Sequence, residues 1–170
     1  MPTRRRAREV ALQSLYQLEV NPEMDGLDRF LAGRLGAGPL VAFARGLVDG
    51  VSARRTTLDE AIDARSDNWR LSRMAATDRA VLRLAAYELY HTDAPGPVVV
   101  NEAIELARRY GTDASPRFVA GILGRLLADR DAGTRPDGPS VPSPAAPSTA
   151  AQGRPSGEPI HGTVPLRPQG

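Results

Sequence analysis

Hydrophobic residues recur every three or four positions along most of the first 130 residues, with polar residues between them. This period is that of an α-helix, where such positions share one face. No stretch alternates apolar and polar residues for long enough to predict a strand, and the best candidate, residues 98–100, lies beside prolines. The pattern predicts an all-α fold of six or seven helices. Three lie before Trp69 and three or four after it, which suggests two helical halves packed together.

Proline, glycine and capping residues predict where the helices of the first half end. The first helix ends at a turn beginning at Asn21, and a short second helix ends at residues 36–39, Gly-Ala-Gly-Pro. The apolar pattern then continues to Ile62, as one long helix or as two in line. Residues 57–60, Thr-Leu-Asp-Glu, have the spacing of a capping box, which would favour two helices.

Further capping signals predict the boundaries of the second half. Thr77 is expected to cap a central helix with a wide apolar face. Ser115 and Pro116 are expected to be the N-cap and the first position of the last helix, which should fade near Arg130. Trp69, in the connection between the halves, is predicted to pack in the core rather than to bind a ligand or stack on RNA, because large aromatic side chains mostly serve burial.

The composition changes from Asp131 onward. Residues 131–170 hold nine of the fifteen prolines and six of the sixteen glycines, with few large apolar side chains. Such a segment cannot bury enough surface to offset its ordering entropy. We therefore predict a helical domain over residues 1–130 and a disordered tail over residues 131–170, and protection of the tail from proteolysis would contradict this boundary.

The chain offers little for catalysis or metal binding. It has no cysteine, so a disulfide framework, a thiol nucleophile and thiolate metal sites are excluded. His91 is expected at a helix end and His161 in the tail, without a second ligand at metal-binding spacing. Glu102 and Glu105 share a helix, but ion pairs with the arginines at 108–109 explain them better than acid–base chemistry. There is no apolar run of membrane length, and a cytoplasmic protein is expected.

Positive charge is concentrated at the start of the chain, although the formal net charge is only +2. Arg4, Arg5, Arg6 and Arg8 lie in and before the first helical turn, where the helix dipole disfavours cations. An anionic partner would explain them, and a basic cluster is typical of nucleic-acid binding. Tyr16 lies two turns further on, where its ring could stack on an unpaired base. A solubilising arm, and a second helix contact for Tyr16, remain open alternatives.

Four motifs resemble, in the same order and at natural spacing, the NusB family of bacterial transcription antitermination proteins. The first is RRRAREVALQSLYQLE at residues 4–19, and the second joins NWRLSRM at 68–74 to DRAVLRLAAYEL at 78–89. The third is PVVVNEAIEL at 97–106, and the fourth is SPRFVAGIL at 115–123. The resemblance covers residues 4 to about 128 and is far more specific than a basic helix alone.

This resemblance implies two three-helix bundles that bind ribosomal protein S10, also called NusE. The pair would recognise single-stranded boxA RNA in nascent ribosomal RNA and support processive transcription of rRNA operons, in an elongation complex with other Nus factors. It implies neither catalysis nor a cofactor. The RNA-binding positions carried over by motif are Arg4, Arg5, Arg6, Arg8, Tyr16, Asp78, Arg79, Arg117 and Phe118, and those for S10 are Asp78, Arg83 and Tyr87.

Two departures and two alternatives accompany the resemblance. Ala114 and Ala120 stand where family members commonly have Asp and Asn, so polar contacts by those positions are in doubt. A DNA-binding helical regulator is one alternative. The other is the NusB-like domain of a ribosomal RNA cytosine methyltransferase, for which the remaining forty residues are too short to be the catalytic domain. The sequence leaves open whether the protein is a monomer or a homodimer.

A mutational expectation follows from the basic cluster. Replacing Arg5, Arg6 and Arg8 with alanine should weaken RNA binding several-fold and leave folding intact, because phosphate contacts by a few arginines give a modest, salt-dependent affinity.

Overall fold

A computed structural model describes residues 3–136, and within that range the chain forms seven α-helices and no strand. This confirms the predicted all-α class. The helices are α1 (Arg4–Val20), α2 (Leu27–Leu35), α3 (Pro39–Ala53), α4 (Arg55–Asp63), α5 (Ala76–His91), α6 (Gly96–Tyr110) and α7 (Ser115–Asp131). Most of the predicted tail, residues 137–170, lies outside the described residues.

The helices pack as two three-helix groups around a shared core. Helices α1, α2 and α3 contact one another, as do α5, α6 and α7. Helix α5 also contacts α1, α3 and α4, so the central position predicted for it is confirmed. Fully buried side chains come from both groups, among them Val10, Leu31 and Val48 in the first and Leu82 and Leu123 in the second. Burial of each contributes about 1.5–3 kcal/mol, so hydrophobic packing holds the two groups together.

The ends of α1 and α2 follow the local sequence. Thr3 is the N-cap of α1, and its Oγ1 accepts a hydrogen bond from the Arg6 N–H at 3.3 Å. The helix ends at Asn21, whose N–H donates to the Gln17 carbonyl at 2.8 Å. Helix α2 ends at Gly36, which has a φ of 82°. Glycine adopts this left-handed φ without the steric cost that a Cβ would impose.

Of the two alternatives for the third helical stretch, two helices is the correct one. The break lies at Arg54, where φ is −114° and ψ is 18°, and the next helix begins at Arg55. Thr57 therefore lies inside α4, and the capping box does not cause the break. The Arg54 N–H donates to the Val51 carbonyl at 3.3 Å, three residues back, instead of to the carbonyl four residues back as in an α-helix.

Two predicted N-caps in the second half are wrong by one or two positions. Helix α5 begins at Ala76 after an extended Ala75, so Thr77 lies within its first turn. Ser115 is the first residue of α7, and its Oγ accepts a hydrogen bond from the Thr112 N–H at 2.9 Å. The serine hydroxyl closes the preceding loop instead of capping its own helix.

The predicted burial of Trp69 is also wrong, because its side chain is 55% exposed. Leu71, in a short 3₁₀ turn two residues later, fills the core position in this connection and is 4% exposed. The Leu71 N–H donates to the Asp63 carboxylate at 2.6 Å, which fixes the turn against the end of α4. No helix within the described residues is long and apolar enough to cross a membrane.

Candidate RNA and protein interface

The first turn of α1 lies beside the last turns of α6, and Glu105 links them. Its carboxylate accepts a hydrogen bond from Arg5 Nη2 at 3.2 Å and also pairs with Arg108 on its own helix. The predicted ion pair between Glu105 and Arg108 is therefore confirmed. Because both arginine side chains are more than half exposed, these pairs add little stability and leave both guanidinium groups available at the surface.

Glu9 makes a second link between the same helices. It is buried and pairs with Arg6 at 2.8 Å and with Arg109 at 2.5 Å. The two carboxylates, Glu105 and Glu9, thus pair with four arginines of this surface. Arg4 precedes them in the same turn of α1, and its guanidinium lies 5.1 Å from the ring centroid of Phe43 on α3. We call this surface the basic edge, and it consists of Arg4, Arg5, Arg6, Arg108 and Arg109.

Arg8 belongs to the core and not to the basic edge. It is 7% exposed, and its Nε donates to both carboxylate oxygens of Glu88 on α5 at 2.9 Å. Its guanidinium also lies 5.5 Å from the ring centroid of Phe43. Burial raises the pKa of Glu88, and the hydrogen bond from Arg8 acts in the opposite direction. A phosphate contact by Arg8 would require this pair to break, which would leave a buried carboxylate without a partner.

Tyr16 lies next to the basic edge and is 42% exposed. With Gln13, Gln17 and Tyr110 it lines a cavity of about 210 Å³ between α1, α5 and α6. Gln13 Nε2 donates to the Tyr110 hydroxyl at 3.4 Å, and the Arg109 guanidinium lies 5.6 Å from the Tyr110 ring centroid. We call this cavity the Tyr16 cavity, and its other lining residues are Leu12, Thr77 and Ala80. It combines aromatic faces with amide groups that can donate and accept hydrogen bonds.

The first turns of α5 border the Tyr16 cavity. Asp78 is 8% exposed, and one of its carboxylate oxygens has no hydrogen-bond partner among the described residues. Arg79 is held on both sides, because its Nε donates to Glu19 at 3.0 Å and its Nη1 to the Met74 carbonyl at 2.7 Å. Of these two predicted site residues, Arg79 is paired with Glu19 of α1, and Asp78 has an oxygen that is unpaired but buried.

The predicted S10 residues on α5 differ in how accessible they are. Arg83 is buried and donates to both carboxylate oxygens of Asp59, at 2.6 and 2.9 Å. Tyr87 is half-buried, stacks on His91 with ring centroids 5.4 Å apart, and lies 5.9 Å below the Arg54 guanidinium. Arg83 therefore holds α4 against α5, and Tyr87 offers part of its ring to the surface.

Arg117 and Phe118 lie apart from these residues, on the first turns of α7. They line an open groove of about 740 Å³ whose opposite wall is the connection containing Asn68 and Trp69. Exposed Ala114 lines it as well, so the departure from the family pattern removes a charge from this wall. We call this surface the α7 groove. It shares no lining residue with the Tyr16 cavity, so the predicted site residues fall into two regions.

Sequence reasoning missed four residues that the fold brings to these regions. Arg109 is predicted only as an ion-pair partner of a glutamate on its own helix, and Tyr110 is not predicted in the site, yet both border the Tyr16 cavity. Gln13 is not among the predicted RNA-binding residues, and Trp69 is predicted to pack in the core, but the two side chains line the Tyr16 cavity and the α7 groove. The basic pair at 108–109 followed directly by an aromatic residue was the available signal.

The fold and these surfaces define a class of protein. No group of three or more His, Cys, Asp or Glu side chains in residues 3–136 is arranged to hold a metal ion. The surface instead offers arginines, aromatic rings and amides on a rigid helical scaffold. The class is an all-α binding protein made of two helical bundles.

Comparison with known proteins names the family. Residues 5–128 match the NusB family model. The chain is 51% identical over 128 residues to the transcription antitermination protein NusB of Anaeromyxobacter dehalogenans (strain 2CP-1), covering 74% of this chain and 90% of that protein. The chain belongs to the NusB family, which confirms the resemblance and makes the protein a transcription antitermination factor and not an enzyme.

Solved structures share the fold. T. maritima NusB superposes with a TM-score of 0.68 at 37% identity, over 76% of this chain and 94% of that one. A structure of the antitermination factors NusB and NusE in complex with dsRNA has a TM-score of 0.65 at 23% identity, over 74% of this chain and 96% of that one. Because this second structure is only 23% identical, its similarity shows a shared fold and nothing more.

Proposed function

We propose that this antitermination factor binds single-stranded boxA RNA in nascent ribosomal RNA, together with ribosomal protein S10 (NusE). It acts in the cytoplasm, within an elongation complex that contains other Nus factors, and supports processive transcription of rRNA operons. The observation that carries the proposal is the basic edge, where four arginines share two carboxylates directly beside the Tyr16 cavity.

RNA phosphates contact the basic edge. Arg5 and Arg108 have side chains that are 55% and 58% exposed and share the surface carboxylate of Glu105, so they can exchange it for phosphate oxygens at little cost. Arg109 is 61% exposed, and its buried partner Glu9 keeps the ion pair with Arg6 when Arg109 contacts a phosphate. Arginine binds phosphate through a planar fork of N–H donors. Because phosphate contacts position a strand without reading its sequence, base discrimination requires a second element.

The Tyr16 cavity supplies that element. An unpaired base stacks on the exposed ring of Tyr16, and the amides of Gln13 and Gln17 lie in the same cavity as partners for the base edge. Single-stranded RNA is favoured over a duplex because only an unpaired base presents both its face and its hydrogen-bonding edge.

S10 binds on the α5 side and completes the RNA surface. A relative with this fold has been solved as NusB with NusE and RNA, which supports a protein partner here. Tyr87 is a contact residue, since its ring is partly exposed. Asp78 is the second contact residue carried over by motif, and because its unpaired oxygen is buried, it contacts S10 through the exposed part of its side chain. Arg83 acts indirectly by holding α5 and α4 together through Asp59.

The basic edge is tested by replacing Arg4, Arg5 and Arg6 with alanine. Arg8 is excluded from this variant because its loss would leave Glu88 buried without a partner. RNA affinity should fall several-fold, and the slope of log affinity against log salt should decrease by about two, since each phosphate contact contributes about 0.7 for single strands. Fluorescence anisotropy of a labelled boxA oligoribonucleotide measures both quantities.

A triple variant of equal charge change serves as the control. Arg29, Arg34 and Arg55 lie on α2 and at the start of α4 and are exposed, so their replacement should leave RNA affinity unchanged. Equal losses in the two triple variants would mean that net charge, and not the basic edge, drives binding. Preference for duplex DNA, or affinity that S10 does not increase, would favour the DNA-binding regulator instead.

A further inference from the structure

Arg4 differs from the other arginines of the basic edge in what holds its side chain. The other four each pair with a carboxylate, whereas the Arg4 side chain forms neither an ion pair nor a hydrogen bond among the described residues. Its guanidinium lies over the ring of Phe43 on α3, 5.1 Å from the ring centroid. Because a phenyl ring carries no net charge, this contact holds Arg4 without neutralising it.

The Phe43 ring is itself held by a second arginine. The guanidinium of Arg8 lies 5.5 Å from the same ring centroid, and two hydrogen bonds of 2.9 Å fix Arg8 to Glu88 of α5. Phe43 is half-buried and packs against the core. A line of contacts thus runs from Glu88 through Arg8 and Phe43 to Arg4, and it joins α5, α1 and α3 at the first turn of α1.

The acidic side chains close to this line of contacts leave the charge of Arg4 in place. Glu88 is neutralised by its ion pair with buried Arg8. Glu102 of α6 lines a shallow cavity with Arg8 and Glu88, and it forms no ion pair with Arg4. A phosphate can therefore bind Arg4 without first displacing a carboxylate, whereas at Arg5 it has to displace Glu105.

We propose that Phe43 is a positioning residue of the RNA site, which rests on the proposed RNA-binding function. Its ring holds the Arg4 guanidinium at the first turn of α1 before RNA arrives. Less side-chain entropy is then lost when a phosphate binds, so the affinity for RNA rises. Arg8 acts one step further back, because it holds the ring that holds Arg4.

The test is a double-mutant cycle on the RNA affinity of the full chain, measured by anisotropy of a dye-labelled single-stranded boxA oligoribonucleotide. Phe43→Leu should weaken binding about threefold, the size expected when an exposed cation–π contact is lost. In the Arg4→Ala background the same change should have no effect, because no guanidinium remains above the ring. In the Arg5→Ala background it should keep its full effect, since Arg5 is held by Glu105 instead.

Salt dependence and a conservative variant separate positioning from packing. Phe43→Leu should lower the slope of log affinity against log salt by up to about 0.7, the contribution of one phosphate contact to a single strand. Phe43→Tyr keeps an aromatic ring and should keep both affinity and slope. Phe30→Leu is the matched control, because Arg34 lies 5.2 Å from the Phe30 ring centroid outside the basic edge. It should change neither quantity.

A measurement on the original chain does not depend on whether any variant folds. Ring currents of Phe43 should shift the side-chain protons of Arg4 upfield in the NMR spectrum of the free protein. The shift should persist when the boxA oligoribonucleotide is added. Random-coil shifts for these protons in the free protein, or loss of the upfield shift on RNA binding, would overturn the proposal.

The outcomes also separate this proposal from the function on which it rests. If Phe43→Leu weakens binding equally in the original and Arg4→Ala backgrounds, the ring acts by packing or by touching RNA itself. That result would overturn the positioning role and leave RNA binding at the basic edge standing. An equally large loss of affinity in Phe30→Leu would have the same meaning. Absence of any RNA binding by the original chain would overturn both proposals.

Discussion

Two arginines three positions apart on α1 have opposite roles because of where their partners lie. Arg5 pairs with Glu105 at the surface, where water screens the interaction and the guanidinium stays available to RNA. Arg8 pairs with Glu88 in the interior, where both charges have lost their water. Removing one member of such a buried pair costs much more than the pair itself contributes.

We predict that Arg8→Ala destabilises the protein by about 3 kcal/mol near neutral pH, because Glu88 is left buried and unpaired. Arg5→Ala, with its exposed partner, should cost less than about 1 kcal/mol. Urea unfolding followed by circular dichroism measures both values. Equal losses in the two variants would contradict the assignment of Arg8 to the core.

The effect of Arg8→Ala should also depend on pH. Burial raises the pKa of Glu88 above its ordinary value of 4.5, and the opposing hydrogen bond from Arg8 is lost in the variant. A carboxyl whose pKa is raised by folding stabilises the native state in acid and loses that stability as the pH rises through its native pKa. The difference in the free energy of unfolding between the original protein and Arg8→Ala should therefore become smaller as the pH falls towards 4.5. If this difference in unfolding free energy does not change with pH, the buried carboxylate of Glu88 is not the cause of the destabilisation.

At the scale of elements, α3 and α5 approach each other at a glycine. A Cβ on Gly50 would lie 2.1 Å from Cζ of Tyr87, so only glycine lets the tyrosine ring lie against α3. The same ring stacks on His91 and is a proposed contact for S10. The packing of α3 thus determines how Tyr87 is presented at the surface.

Gly50→Ala should destabilise the protein by about 1–3 kcal/mol and weaken S10 binding, because the Tyr87 ring has to move. Gly46→Ala is the matched control on the same helix, since no atom lies within 4 Å of its added Cβ. That control should stabilise the protein by up to about 1 kcal/mol through helix propensity. Thermal melting and S10 pull-down measure the two effects. Unchanged stability and S10 binding in Gly50→Ala would contradict this account of Tyr87.

At the scale of the whole molecule, Glu19 joins the two bundles. It lies near the end of α1 and accepts hydrogen bonds from two arginines of α5, Arg79 at 3.0 Å and Arg83 at 3.2 Å. Arg83 extends the link to Asp59 of α4. These contacts fix α1 relative to α5, and the Tyr16 cavity is built from residues of both helices.

Glu19→Gln should lower the free energy of unfolding by about 1–3 kcal/mol, because hydrogen bonds to a charged group are lost while both arginines stay largely buried. It should also weaken RNA binding by loosening the Tyr16 cavity. Glu23→Gln, at an exposed position after α1, should change stability by less than about 0.5 kcal/mol. If Glu19→Gln is destabilised but binds RNA as tightly as the original protein, the ion pairs of Glu19 do not determine the shape of the Tyr16 cavity.

The sequence by itself determined the helical class, the order of the helices and the family. Apolar residues spaced three and four positions apart indicate which side of a helix is buried. This spacing can be recognised without any knowledge of the tertiary contacts. Turn residues such as Gly36 likewise act through their own backbone. Periodicity alone left two alternatives for Tyr16, stacking on a base or a second helix contact, and the structure shows a ring that is 42% exposed.

Only the tertiary structure decided which polar groups reach the surface. Helical position does not distinguish Arg8 from Arg5, because burial depends on a glutamate 80 residues away in one case and 100 residues away in the other. The exposure of Trp69 depends on Leu71 taking the core position in the same connection. The Tyr16 cavity requires α1, α5 and α6 to converge, and convergence is a property of long-range packing that no local pattern encodes.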